Sequence, residues 1–413
     1  MICPKFPYPK VDGGAIAMYN MMRGFHDAGQ KVSVLGMSTP KHPVLLRDFP
    51  SEIRQMANLH AIDVDTQPRL IDAIASFAFS SRKSYHLERF RSKAFANELT
   101  YLLDENEYDV IQMETLYTLP YIKTIKAHPN ANPLIAYRAH NLEHEIWQRR
   151  AYNEKRPWIR FIYSETAKRI RAYEQEVFGE PPFDALVPIT GRDGKRIKGM
   201  GFEKNFQATP SGIIKDELEK HDVRREQPSV FYLGSLDWEP NREGLRWFLK
   251  QVWPEVHRRY PEVPFYIAGR KMPREFAKLK KQNIKPLGEV ESAARYMLER
   301  DVMVCPVLSG SGMRIKIIEG MSYGRPIVAT RTACEGIEKI YHGNQLMIAN
   351  DAEDFTNQLS ILIEDPNLAR TLGAHARRTI ERDFDNKRLI ENLIKHYRDL
   401  IRKRQEGEAD KKD

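Results

Sequence analysis

Positions 309 to 330 hold the densest set of residues able to do chemistry. Gly310, Ser311, Gly312 and Met313 form a glycine-rich turn after an apolar run, and a helical pattern opens directly behind them. Backbone N–H groups at the start of a helix have no intrahelical partner and suit a phosphate. Arg314 and Lys316 put two cations near that helix start, where they oppose the helix dipole unless an anion is bound. Glu319, one to two turns further in, is in range to accept hydrogen bonds from the two hydroxyls of a ribose. A bare glycine turn with solvated Arg and Lys is the ordinary alternative. Glycines, two cations and an acid together favour a phosphate.

Three further segments carry candidates. Val230 to Leu233 reads as a strand running into a turn at Gly234 and Ser235, followed by Asn241 and Arg242. Trp247 and Trp253 beyond it read as core packing. Near the start, Gly13 and Gly14 separate a very short apolar piece from a helical run, and a glycine pair permits close backbone approach to a ligand. So few residues precede that pair that the chain reads as starting slightly late. In the third segment, Tyr137 to Trp147, His140 follows a strand. His140 and His144 are four apart, as helical metal ligands would be, but no third ligand is near and a structural or solvent-facing His144 is the plainer reading. Glu114, at the end of the strand Asp109 to Met113, is expected to point into a ligand cleft between the two halves of the chain, as a residue on the acceptor side.

The elements that must position these residues alternate between strand and helix. In the first half, strands are expected at Lys31–Leu35, Asp109–Met113, Pro133–Tyr137 and Phe183–Ile189. Helices are expected at Ala15–Ala28 and Trp158–Val177, where apolar residues recur at helical spacing. The polar stretch Arg192 to Glu226 reads as a linker. The second half restarts with strands at Val230–Leu233, Phe265–Ala268, Asp301–Val304 and Pro326–Ala329, and with helices at Glu243–His257 and Met313–Tyr323. Such alternation specifies two α/β units with parallel sheets, which bind ligands at the carboxyl ends of their strands. The expected domains are 1–205, 206–385, and a C-terminal helix with charged tail, 386–413, packing back on the first.

Composition bounds the partners. The 413 residues carry a formal charge of +9, which favours phosphates in a nucleotide, a nucleic acid or an anionic membrane without choosing among them. No apolar run is long enough to span a bilayer, and Leu70 to Phe79 is broken by Asp72 and Ser76. Cys3, Cys305 and Cys334 are odd in number and lack metal-ligand spacing, so they read as buried or semi-buried residues of a cytoplasmic protein.

Gly310 to Glu319, and the following Gly324-Arg-Pro-Ile-Val-Ala-Thr330, resemble the donor-site motif of family 4 of the retaining glycosyltransferases (glycosyl transferases group 1). Ser311 stands where that family usually has a first Glu. Ser235 stands where most members have an Arg, and Asn241-Arg242 where they have a Lys. The resemblance implies a GT-B fold, two Rossmann-like domains with parallel sheets facing across a cleft. It implies transfer of a sugar with retention from a UDP- or GDP-type nucleotide sugar to an acceptor hydroxyl, in cell-surface polysaccharide or glycolipid synthesis. It further implies no metal, His140 near the donor sugar, Gly13 and Gly14 at the diphosphate, and Arg314 and Lys316 replacing the missing cations. The expected partners are a nucleotide sugar, a glycan or lipid-linked acceptor and an anionic membrane surface, with no nucleic acid; Tyr85, Phe90, Trp158 and Phe161 among basic residues motivate peripheral attachment to the inner face of the cytoplasmic membrane. The alternatives are a nicotinamide-dependent sugar-nucleotide enzyme, which lacks its Gly-x-Gly-x-x-Gly after the first strand, and a basic membrane- or nucleic-acid-binding module.

Overall fold

The structure, a computed structural model, describes residues 1–67, 84–218, 228–310 and 312–409. Ser311 and the Leu70–Phe79 run lie outside them. The chain divides into two compact units, Met1–Gly212 with Asn386–Asp413, and Ile213–Asp385.

The first unit is built on a six-stranded sheet of β1 (Ile2–Cys3), β2 (Ser33–Ser38), β3 (Asn58–Asp63), β4 (Val110–Glu114), β5 (Leu134–Ala139) and β6 (Ala185–Pro188), in the order β3-β2-β1-β4-β5-β6. Every pairing is parallel. All six residues of β5 are buried, as a central strand covered on both faces requires. One face packs Leu99, Leu103, Ile111, Met113 and Ile170. The other packs Met21 and Phe25 of helix Gly13–Asp27 with Ile390, Leu393 and Tyr397 of the C-terminal helix Asn386–Ala409.

The second unit has β7 (Val230–Leu233), β8 (Phe265–Ala268), β9 (Ile284–Gly288), β10 (Val302–Cys305), β11 (Ile327–Thr330) and β12 (Met347–Ala349), in the order β12-β11-β10-β7-β8-β9, again all parallel. Counted from its own first strand, each sheet runs 3-2-1-4-5-6, the doubly wound order of dinucleotide-binding folds. The order reverses beside β1 and β4 in one unit, and beside β7 and β10 in the other.

Two expectations change. The helix expected at Glu243–His257 starts earlier, at Glu239, where Pro240 suits the first turn. It passes through a π-helical turn, Phe248–Val252, before continuing as Trp253–Arg259, because Pro254 has no N–H to give to the preceding turn. Across the start of the expected linker, Gly191–Lys198 is a helix, and the Thr190 side chain accepts from the Asp193 N–H at 3.0 Å. Only Ile197 is apolar and buried in that helix, so no periodic pattern announced it.

Candidate functional site

In the second unit, two loops leave the carboxyl ends of neighbouring strands β7 and β10, and both carry the residues singled out above. After β10 the chain runs through Gly310 at φ 115° and Gly312 at φ 78°, left-handed conformations that a side chain would strain. The loop leads into helix Ile315–Ser322, whose N-cap position, Arg314, makes no side-chain cap. Arg314 therefore leaves the first-turn N–H groups to other acceptors, and an anion is one that suits them. The Arg314 guanidinium turns back on the loop, its Nη1 donating to the Gly312 carbonyl at 3.0 Å and its Nη2 approaching the Ser309 carbonyl at 3.5 Å. Met313 packs partly buried against the core below, and Glu319 is half-buried on the second turn of the helix.

Lys316 joins the two loops. Its ammonium donates to Asn241 Oδ1 at 2.9 Å and lies 4.7 Å from the centre of the Tyr232 ring. A Cβ added to Gly234 would sit 3.1 Å from Lys316 Nζ. Asn241 in turn donates to the Ser235 carbonyl at 2.8 Å, and Ser235 Oγ donates to Asp237 at 2.6 Å. A cation thus stands at the β7 turn although Ser235 and Asn241 are neutral, and it arrives from the helix after β10. Arg242, its neighbour in sequence, instead pairs with Glu239. Burial lowers the Lys316 pKa and the Arg314 charge lowers it further. A bound anion would favour the charged ammonium and offset both effects.

Sequence reasoning passed over Asn241 as a ligand of Lys316, and over Glu243, whose carboxylate accepts from Ser309 Oγ at 2.6 Å. The signal was Gly244. A Cβ there would lie 1.9 Å from the Pro306 carbonyl oxygen, so glycine alone lets helix Glu239–Trp247 rest against the β10 loop.

In the first unit, Gly13 and Gly14 form the first turn of helix Gly13–Asp27, with Asp12 as N-cap accepting from the Ala15 N–H at 2.9 Å. Lys5, absent from the sequence reading, pairs with Asp12 beside Gly14. Burial would raise the Asp12 carboxyl, but Lys5 and the Ala15 N–H bring it down to about 2. A lysine in the short loop after β1 was the available clue.

Glu114 is a correction. It does not face open space: its side chain is 0% exposed at the end of β4, and its carboxylate holds His140 Nε2 at 2.6 Å. Gln112 donates to the same carboxylate, and Tyr397 Oη donates to Gln112 Oε1 at 2.8 Å. Burial would raise the Glu114 pKa; the hydrogen bond from His140, with the charges of His140 and Arg138, outweighs it and holds the carboxyl below its ordinary value. A carboxylate at Nε2 leaves Nδ1 as the ring's remaining polar atom. His144 is buried rather than solvent-facing, with Nδ1 on Glu174.

Residues 227–365 match a family model described as Glycosyl transferases group 1. The chain is 23% identical over 299 residues, 70% of its length and 74% of the relative's, to an uncharacterized 44.6 kDa protein in the cps region of Klebsiella pneumoniae. It is 30% identical over 169 residues, 38% of its length and 42% of the relative's, to a phosphatidyl-myo-inositol mannosyltransferase of Mycolicibacterium smegmatis. Among solved structures, a sucrose-phosphate synthase from Thermosynechococcus elongatus is similar with a TM-score of 0.69 over 97% of this chain and 98% of that one, at 15% identity. HepE of Anabaena, solved with UDP and glucose, is similar with a TM-score of 0.62 over 96% and 98%, at 13% identity. The fold is therefore of the GT-B type. The family-model match falls wholly within its second unit.

Proposed function

We propose that the protein transfers a hexosyl group, with retention, from a nucleoside-diphosphate sugar to an acceptor hydroxyl, in the synthesis of a cell-surface polysaccharide or glycolipid. The observation that carries this reading is Lys316 at the β7 turn, beside the glycine loop and the helix start after β10. Negative charge develops on the leaving diphosphate, and preorganised cations and N–H groups stabilise it more in the transition state than in the ground state. Lys316 and Arg314 take that role, with Gly310, Ser311, Gly312 and Met313 lining the phosphates and Gly234 and Ser235 completing the turn. Glu319 holds the ribose. Gly13 and Gly14 offer further N–H donors, and His140, oriented by Glu114, serves the donor sugar. The leaving phosphate can take the acceptor's proton, so the scheme needs no metal.

UDP is the first nucleotide to test, since HepE was solved with it; the mannosyltransferase likeness keeps GDP as the second. The relative in a cps region supports a polysaccharide product. In our reading a glycan or lipid-linked acceptor is met at the inner face of the cytoplasmic membrane. A thermal-shift series with UDP, GDP, ADP and their sugars tests the reading. Nucleotide at about 100 times its dissociation constant should add roughly 2.7 kcal/mol. The proposal fails if no nucleoside diphosphate raises the melting temperature.

A further inference from the structure

We infer that the turn joining helices Glu143–Asn153 and Pro157–Gly179 is the element that seats the protein on an anionic lipid bilayer. Large apolar side chains on a protein surface usually stand singly. Here four lie within eleven residues: Tyr152 is 82% exposed, Trp158 65%, Phe161 63% and Ile162 37%. Trp158, Phe161 and Ile162 are spaced i, i+3, i+4, so they share one outward face of the second helix. That helix buries its inner face only from Thr166 onward, through Ala167, Ile170, Glu174, Val177 and Phe178. Its first two and a half turns, Pro157 to Glu165, therefore hold no buried residue.

Charge selects the occupant. Lys155, Arg156 and Arg160 are exposed around these aromatics. The carboxylate in the same stretch, Glu154, is already taken by Arg156, with both oxygens at 3.0 Å. Trp and Tyr favour the headgroup level of a bilayer, and cations beside them favour an anionic one. A second protein copy would bring the same basic turn against Lys155 and Arg160, whereas lipid phosphates pair with them.

The turn is held firmly enough to act as a foot. Leu142, at the N-cap of the first helix, makes no side-chain cap, and Glu174 of the second helix takes that place by accepting from the Glu143 N–H at 2.7 Å. His144 bonds the same carboxylate, and Trp147 meets Tyr163 edge-on at 5.5 Å. Tyr85 and Phe90, expected from sequence to share this role, do not. Phe90 packs 4.4 Å from Tyr117 against the core, and Tyr85 is half-buried. Helix Glu143–Asn153 begins three residues after His140 and is 11 residues long, so the turn lies about 16 Å from the strand edge that carries His140. What that distance would bring to the membrane, a lipid-linked acceptor, rests on the transferase reading; the docking itself does not.

The test is co-sedimentation of the full chain with phosphatidylcholine vesicles, with and without phosphatidylglycerol. We expect binding to the anionic vesicles only, weakening as salt is raised. Trp158→Ser with Phe161→Ser should reduce it by at least about tenfold, and replacing Lys155, Arg156 and Arg160 by Ala by on the order of a hundredfold. Both variants should keep the wild-type melting temperature and nucleotide-induced shift. Absence of wild-type binding to anionic vesicles overturns the inference, as does unchanged binding of the Trp158/Phe161 variant. A dimer in light scattering that this variant dissolves, without vesicle binding, also overturns it in favour of self-association. Vesicle binding without any nucleotide shift would instead sink the transferase reading and leave the docking surface standing.

Discussion

At Glu319 and Lys316 single side chains carry the proposed chemistry, and each can be separated from folding. Glu319 is half-buried on a helix whose packing rests on Ile317, Ile318 and Met321, so removing its carboxylate should not unfold the unit. Glu319→Ala is expected to weaken UDP binding, measured by calorimetry, by about 1.5–3 kcal/mol, the worth of hydrogen bonds to a charged group. Lys316→Ala should lower kcat/KM by on the order of a hundredfold or more, because a preorganised cation is lost where charge develops. Arg242→Ala should leave turnover within about twofold, since its partner Glu239 is an exposed carboxylate and such pairs contribute little. If Arg242→Ala proves the more damaging change in steady-state kinetics, Lys316 is not the diphosphate cation.

Among the elements, the helix pair Glu143–Asn153 and Pro157–Gly179 shows what a buried acid does to pH dependence. Burial pushes the Glu143 carboxyl up to about 7, and the Glu174 charge adds to it, although the Tyr117 hydroxyl at 2.8 Å favours the anion. The folded value lies above the unfolded one. The stability contributed by the neutral form is therefore full below the ordinary carboxylate range and is lost as pH rises through about 7. Urea unfolding should show wild-type protein losing on the order of 3 kcal/mol from this group between pH 5 and 8. Glu143→Gln, neutral throughout and still an acceptor for Tyr117, should flatten that slope. An unchanged slope in the variant would remove Glu143 as its source.

On the scale of the whole molecule, the chain's end completes its beginning. Helix Asn386–Ala409 covers a face of the first sheet, with Leu393 0% exposed among Phe25, Leu134 and Val187. Leu393→Ala should lower stability by about 2–5 kcal/mol in urea unfolding followed by circular dichroism. A loss below about 1 kcal/mol would mean the helix is not part of that core. Much of this architecture was legible beforehand: β7 and β8 lie where their apolar runs put them, and the glycine loop stands at a strand-to-helix junction, because period-two and period-3.6 patterns are local. β1, with two residues, and β12, with three, are too short to carry a period. Long-range contacts escaped for a different reason. Composition and spacing named Lys316, Glu114, Trp158 and Phe161, but only the packed chain decided that Lys316 reaches Asn241 across 75 positions, that Glu114 is sealed beneath His140, and that Trp158 and Phe161 face outward. Those outcomes depend on which surfaces meet once strands are ordered in a sheet, and no window of neighbouring residues contains that information.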